Sequence, residues 1–185
     1  MIKYGFNVKK SAQAASILLK LNGGDMGKYV FIKMLYLSDR ESFKRWGAPI
    51  TGDDAVSMEH GPVLSNIYNL TKGDCPLYQS EWEPFISPAD VETNRVSNVG
   101  NPGEDELSPA EIKILRGIHA EFKNFTWKQM KDFCHEFEEY DGTVGKSSRP
   151  IATEKILQAI GKTPEEIQEK EQDLKEVKML RLLFG

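Results

Sequence analysis

The sequence predicts an α+β fold, in which a predominantly helical single domain carries a small antiparallel sheet or hairpin near the middle of the chain and an additional C-terminal helix. Apolar residues recur at helical spacing over most of the chain, and reciprocal capping pairs mark several helix starts. With 185 residues, of which 39% are hydrophobic, the chain is long enough for one core. We predict one domain over residues 1–162 and a C-terminal helix over residues 163–185.

Three helices are predicted in the first 73 residues. The first has Ser11 as its N-cap and ends at the Asn-Gly-Gly sequence of residues 22–24. The second extends over residues 28–47 and ends at a glycine, which favours the left-handed conformation of a helix C-terminus. The third places Pro62 in its first turn, where a missing N–H costs nothing, and ends at Gly73.

The second half of the chain contains three helix starts of the capping-box type, in which a hydroxyl residue precedes an acid or amide by three positions. The pairs are Ser108–Glu111, Thr126–Gln129 and Thr163–Glu166. Between the two groups of helices, residues 78–101 combine prolines and glycines with scattered aromatic and β-branched residues. This composition predicts short antiparallel strands or an irregular hairpin.

Basic residues concentrate at the N-terminal end of the chain, whereas acidic residues dominate the middle. Residues 1–50 contain nine Lys and Arg against three Asp and Glu, and residues 51–106 contain two against eleven. This polarity predicts oriented contacts with another protein or pairing within the molecule. Together with the net charge of −4, it argues against nucleic acid as the main partner.

The sequence shows no sign of a membrane span, a secretory signal or a metal site. No apolar run approaches the roughly 18 residues of a span, and the first five residues lack the apolar core of a signal. Three histidines and two cysteines occur without the spacings typical of structural zinc. We therefore expect a cytoplasmic protein without a metal, a cofactor or a membrane partner, and the oligomeric state stays open.

A polar network is predicted on the second helix. Tyr36 and Arg40 are neighbours at i and i+4, and Asp39 lies beside Tyr36. We expect these residues to fix the following loop, where Gly52 is free to adopt a positive φ. The acidic pair at residues 138–139 is expected to be solvated.

His60 admits two interpretations. In the enzymatic one it is a general base that Asp39 orients. The candidate nucleophiles are then Ser38, Ser57 and Ser65. No nucleophile elbow, phosphate loop or His-Glu-x-x-His motif supports this interpretation. In the structural one His60 caps a helix start or is held by Asp39 or Asp53, and we favour it.

Several segments resemble the motifs of a known family, in the same order and spacing over about residues 7–160. Residues 33–40 read KMLYLSDR, residues 47–53 read GAPITGD, and residues 60–63 read HGPV with an Ile-Tyr pair after them. Residues 107–115 are similar to its L-S-x-x-E helix start. Residues 134–136 read CHE, where the family more commonly has T-H-E. Together they resemble the Panacea domain, also called the SocA-like antitoxin domain.

The resemblance implies a small bacterial or phage-associated protein that neutralises a cognate toxin by direct complex formation, without turnover or cofactor. The family's namesake instead acts as an adaptor that delivers its toxin to a protease, so a protease complex stays open as a partner. A hydrolase-like enzyme centred on His60 and Asp39 is the remaining alternative. We predict that the protein is not an enzyme and that its motif residues brace the fold. The motif residues are Tyr36, Asp39, Arg40, Gly52, Asp53, His60, Gly61, Pro62, Tyr68, His135 and Glu136.

Residues 163–185 lie outside the resemblance and offer the predicted partner contacts. Their helix has sparse apolar positions until its last turns, which are apolar almost all round. Such a helix either packs its end on its own domain or offers it to a second chain. The predicted contact residues are Leu174, Val177, Leu180, Leu183 and Phe184. The acidic middle segment and exposed positions of the first helices are further candidates.

Overall fold

The computed structural model describes residues 2–142 and 147–184, and it confirms a mostly helical fold with small antiparallel sheets. The helices of the described residues are α1 (Val8–Leu21), α2 (Lys28–Trp46), α3 (Ser65–Leu70), α4 (Gln79–Trp82), α5 (Pro109–Phe122), α6 (Trp127–His135), α7 (Thr153–Ala159) and α8 (Pro164–Phe184). The strands are β1 (Asp25–Gly27), β2 (Ala55–Met58), β3 (Gly61–Leu64), β4 (Arg95–Ser97) and β5 (Arg149–Pro150).

Helix α2 is the centre of the core. It packs against α1, α5, α6 and α7 and against strand β3. Residues 31–39 are all buried, although this run contains Lys33 and Asp39. A helix that is surrounded on every side needs apolar residues around its whole circumference, and the polar groups that it does contain must find partners inside. The polar side chains of α2 are therefore the natural place to look for a site.

The segment predicted as short strands or an irregular hairpin contains β4 and the short helix α4. Within it, Ile86 and Asn98 form an isolated antiparallel bridge, so irregular antiparallel pairing is present. Strand β4 itself pairs with β1, which lies some seventy residues earlier in the chain. The larger sheet has the order β3-β2-β5. Its β2–β3 hairpin replaces the predicted third-helix start, because Pro62 lies in β3 opposite Ser57. A proline is tolerated there since β3 is an edge strand.

Most helix boundaries follow local signals. The capping boxes at Ser108 and Thr126 are formed reciprocally, and Thr163 exchanges bonds with Glu166 in the same way. Gly47 ends α2 with a φ of 66°. The first helix was predicted too late, because Asn7 is its N-cap and the hydroxyl of Ser11 donates to the Asn7 carbonyl from inside the helix.

Part of the charge gradient is paired within the molecule. Lys9 on α1 forms ion pairs with Asp105 and Glu106, at the end of the acidic segment, and Lys10 pairs with Glu111 beyond it. Exposed pairs of this kind add little stability, but they orient this part of the chain against the basic helix. Oriented contacts with another protein stay a prediction.

Helix α8 docks through its first half. Ile167 is buried and Leu174 is partly buried against the core, and the side chain of Lys170 lies beside Gly47 at the end of α2. The part of the chain that the structure describes contains no helix with both the length and the apolarity needed to cross a membrane.

Candidate functional site

The motif residues form two groups along α2. One group, towards the C-terminal end of α2, braces the loop that follows it. The other surrounds a cavity near the N-terminal end. We describe the bracing group first, since its geometry decides between the structural and enzymatic interpretations.

Asp39 holds the loop at residues 50–51. One carboxylate oxygen accepts the backbone N–H groups of Ile50 and Thr51 at 2.8 and 3.0 Å, and the other accepts the Thr51 hydroxyl. Burial raises the pKa of Asp39 to about 7, although these hydrogen bonds act in the opposite direction. The network expected on α2 therefore does fix the following loop.

Asp53 extends the same bracing to α3. Its carboxylate accepts the backbone N–H groups of Asn66 and Ile67 at 3.1 and 3.0 Å, together with the Asn66 side-chain amide. A carboxylate in this position satisfies donors that a helix start leaves without partners. Asp53 thus acts as a cap from a distant part of the chain.

Gly52 adopts the positive φ that the sequence predicts, at 72°. A Cβ at this position would overlap the backbone carbonyl of Gly5, so both conformation and space require glycine. We expect Gly52→Ala to lower the free energy of unfolding by about 3 kcal/mol in urea denaturation. Gly23→Ala is the matched control, since Gly23 has a φ of 88° but open space, and it should cost about 1 kcal/mol. Equal losses would show that the overlap with Gly5 is unimportant.

Glu139 completes the bracing group, and the prediction that it is solvated was wrong. It is fully buried and accepts the Tyr36 hydroxyl at 2.8 Å and the Arg40 Nε–H at 2.7 Å. The Arg40 guanidinium also lies 4.1 Å from the centre of the Phe137 ring. Burial raises the pKa of Tyr36 well above its ordinary value, so its hydroxyl keeps the proton that it donates. The signal in the sequence was a buried arginine on α2 that lacked an acidic partner on its own helix.

The enzymatic pair of His60 and Asp39 does not form. Both Asp39 oxygens are occupied by the 50–51 loop, and Asp53 is occupied by α3. Within the described residues, Nδ1 of His60 is buried and has no hydrogen-bond partner. The alternative that a carboxylate holds His60 was therefore also wrong.

The proposed nucleophiles do not converge on His60 either. Ser38 donates its hydroxyl proton to the Met34 carbonyl at 2.7 Å, inside its own helix. Ser57 is buried, and its Oγ accepts the backbone N–H of Asp141 at 3.2 Å. Ser65 is the first residue of α3. The hydroxyls of Ser38 and Ser57 therefore serve the structure of the fold.

His60 instead lines a cavity of about 570 Å³ between α2, the β2–β3 hairpin and the end of α3. Its chemically distinctive lining residues are Tyr29, Lys33, Glu59, His60, Tyr68 and Lys72. The His60 ring lies 6.0 Å from Tyr29 and 6.1 Å from Trp127, measured between ring centres. The motif residues His60, Gly61 and Tyr68 thus line one cavity. The structural role of His60 stays a prediction.

Gly61 and His135 form the wall behind Lys33. Gly61 has a φ of 95°, and a Cβ there would lie 3.0 Å from the Lys33 ammonium and 3.3 Å from the His135 ring. His135 stacks on Tyr140 at 4.6 Å, and burial lowers its pKa. Glu136, the last motif residue, is exposed at the end of α6.

Lys33 is the buried cation of this region. Its ammonium donates to the Pro62 carbonyl at 2.6 Å, and burial lowers its pKa from 10.5 to about 8. Between these values the folded chain binds fewer protons than the unfolded chain, so stability rises with pH. We expect the contribution of Lys33 to the free energy of unfolding to increase by up to about 3 kcal/mol from pH 8 to pH 10.5, whereas Cys134 and Tyr36, whose pKa values burial raises, contribute in the opposite direction. Lys33→Met should remove this increase, measured by urea denaturation across that range; an unchanged slope would contradict the assignment.

Exposed apolar side chains are concentrated at the end of α8. Five large side chains are exposed over its last turns, from 46% for Val177 to 79% for Leu182. We call these the α8 patch: Val177, Met179, Leu180, Leu182 and Leu183. At 100° per residue they point in several directions around the helix, so no single face can bury them. The side chain of Phe184, another predicted contact residue, lies outside the described part of the chain.

No group of three or more His, Cys, Asp or Glu within residues 2–142 and 147–184 is arranged to hold a metal ion. Comparison with known families identifies one match: the model described as "Antitoxin SocA-like, Panacea domain" matches residues 31–140. This range covers more than half of the chain and includes every predicted motif residue, but neither α1 nor α8. No curated protein and no solved structure gives a significant match.

Proposed function

The chain belongs to the SocA-like antitoxin family with the Panacea domain, and we propose on that premise that it neutralises a cognate toxin by binding it directly. The proposal includes a bacterial or phage-associated setting and a complex that forms in the cytoplasm, where such a toxin acts. It requires no turnover, because occupying the toxin's working surface is sufficient for inhibition.

The observation that carries this proposal is the α8 patch. Isolated exposed apolar residues are ordinary, but five large ones on two helical turns mark an interaction surface. The patch lies outside the family match, whereas the bracing residues lie inside it. This arrangement suits a domain in which the bracing residues stabilise the fold and the separate helix α8 contacts the partner.

The geometry of α8 favours insertion into a groove on the toxin. Its first half is anchored by Ile167 and Leu174, so the patch is presented on a helix that is already formed. Apolar residues on several sides of the helix fit a partner that surrounds it, and preorganisation lowers the entropic cost of binding. Stable complexes of this kind bury roughly 1,600 Å² in total, so neighbouring surface must contribute as well.

Co-expression with the product of the adjacent gene tests the proposal. We expect this chain to restore the growth of cells that produce the toxin, and the two purified proteins to form a stoichiometric complex with the toxin intact. Loss of the toxin from the cells, prevented by removing a protease, would establish the adaptor role instead. Rescue without any complex would contradict direct neutralisation.

A further inference from the structure

The cavity beside Lys33 has features that bracing of the fold does not require. Lys33 is only 3% exposed, and its one hydrogen bond goes to the Pro62 carbonyl. An ammonium group has three donors and normally needs a carboxylate or several acceptors when it is buried. Among the described residues, no carboxylate lies within ion-pair distance of it. The floor of the cavity is therefore a buried positive charge without a counter-ion.

Two further ammonium groups lie over tyrosine rings that line the cavity. Lys28 is placed over the Tyr29 ring at 5.4 Å, and Lys72, itself a lining residue, over the Tyr68 ring at 5.3 Å. Burial, together with repulsion from Lys72, lowers the pKa of Lys28. Lys72 lies 3.7 Å from the exposed Asp74. Clustered ammonium groups of this kind are typical of a site that binds an anion.

The remaining walls are flat and partly apolar. Tyr29 and Tyr68 line the cavity together with Ile32 and Val63, and His60 adds a ring whose Nδ1 is buried without a partner in the described chain. Aromatic walls bind a planar group by stacking. Glu59 is exposed and is the acidic residue of the lining.

We propose that this cavity binds a small organic anion with a planar ring, its negative group towards Lys33 and its ring between the tyrosines. A volume of about 570 Å³ is in the usual range for small-molecule sites, and a single acidic side chain from another protein would leave most of it empty. The inference goes beyond toxin binding. About 13 residues of α2 separate Lys33 from Trp46, where α8 docks, which corresponds to roughly 20 Å along the helix.

Phenyl phosphate is the probe, with inorganic phosphate and phenol as its separate halves. Titration of the full-length protein should give saturable binding at low millimolar concentration or tighter, with chemical-shift changes at residues of the cavity. Each half alone should bind at least tenfold more weakly. Absence of saturable binding, or equal binding of inorganic phosphate, would overturn the proposal.

Variants identify the site. Lys33→Met should weaken phenyl phosphate binding at least tenfold, and Lys72→Ala, an exposed position that leaves the core untouched, should weaken it about threefold. Lys44→Ala is the control, since Lys44 is an exposed lysine near the other end of α2. Unchanged affinity in Lys72→Ala and in a folded Lys33→Met would contradict the site.

A last comparison separates this site from the toxin surface. A variant of the α8 patch should bind phenyl phosphate normally, and Lys72→Ala should retain the toxin. If Lys72→Ala instead loses the toxin and the protein does not bind phenyl phosphate, the cavity belongs to the protein interface and the proposal is wrong.

Discussion

The double variant Leu180→Glu/Leu183→Glu is expected to weaken toxin binding at least 100-fold without lowering the melting temperature. Both side chains are more than half exposed, so the change removes no contact from the core. In the complex, each glutamate would have to be buried without a partner, in place of an apolar side chain at the centre of an interface. Calorimetry with purified toxin, together with growth rescue, measures the effect.

Val91→Glu is the control for this variant. Val91 is 97% exposed and lies on the segment between α4 and β4, so the substitution introduces one glutamate, against two in the double variant, at an apolar surface position outside α8. It should bind toxin with unchanged affinity. If Val91→Glu lost as much toxin affinity as the double variant, the effect would be one of charge in general. If neither variant lost affinity, the toxin contacts would lie outside the α8 patch.

Removing the tail in two steps distinguishes its halves. A chain that ends after residue 176 keeps Ile167 and Leu174, so it should remain folded and lose toxin binding. A chain that ends after residue 162 should also lose stability, because Ile167 is buried against the body. The two truncations should therefore differ in stability, because only the longer one keeps Ile167 against the body. Urea denaturation of both truncations measures this difference.

Glu139→Ala is expected to lower the free energy of unfolding by about 3 kcal/mol, with a fall in melting temperature of roughly 9 °C. The change leaves the buried Tyr36 hydroxyl and the largely buried Arg40 guanidinium without their shared acceptor. Deleting one member of a buried ion pair is costly because the remaining charge keeps its desolvation penalty. Urea denaturation and thermal melting measure the loss.

Glu138→Ala is the matched control, because Glu138 is the exposed neighbour in the same acidic pair. Its effect should stay within about 0.5 kcal/mol. Glu139→Gln keeps an acceptor for Tyr36 and should cost less than Glu139→Ala. Similar losses in Glu138→Ala and Glu139→Ala would show that general charge, and not the Tyr36–Arg40 contact, is responsible.

Glu139→Ala and Leu180→Glu/Leu183→Glu together test whether the bracing group stabilises the fold and the α8 patch binds the toxin. Loss of Glu139 should weaken toxin binding only as far as it unfolds the protein, whereas the charged α8 patch should abolish binding in a fully folded chain. A folded Glu139→Ala protein that no longer recognises the toxin would place the bracing group in the interface itself.

Local sequence signals were reliable where a few neighbouring residues decide the outcome. The capping boxes at Ser108 and Thr126, and the left-handed Gly47, satisfy backbone groups within one turn. The predictions failed where a local signal was compatible with two different structures. Pro62 suits the first turn of a helix as well as an edge strand, and its pairing with Ser57 selected the strand.

The site could be predicted only in part for the same reason. The sequence indicated that Tyr36, Asp39 and Arg40 share one surface of a helix, because their spacing is local. It could not indicate that Glu139 lies on that surface, since 103 residues separate it from Tyr36. Nor could it show that Lys33, His60 and Tyr68 enclose one cavity, because their meeting depends on how the β2–β3 hairpin packs on α2.

The sequence by itself determined the helical class, most of the helix ends and the family motifs, because each depends on periodicity or on hydrogen bonds between residues a few positions apart. Only the tertiary structure decided which strands pair, which acid is buried and which half of α8 is left exposed. Those outcomes depend on how much apolar surface each segment can bury against distant parts of the chain, and no short window of sequence contains that balance.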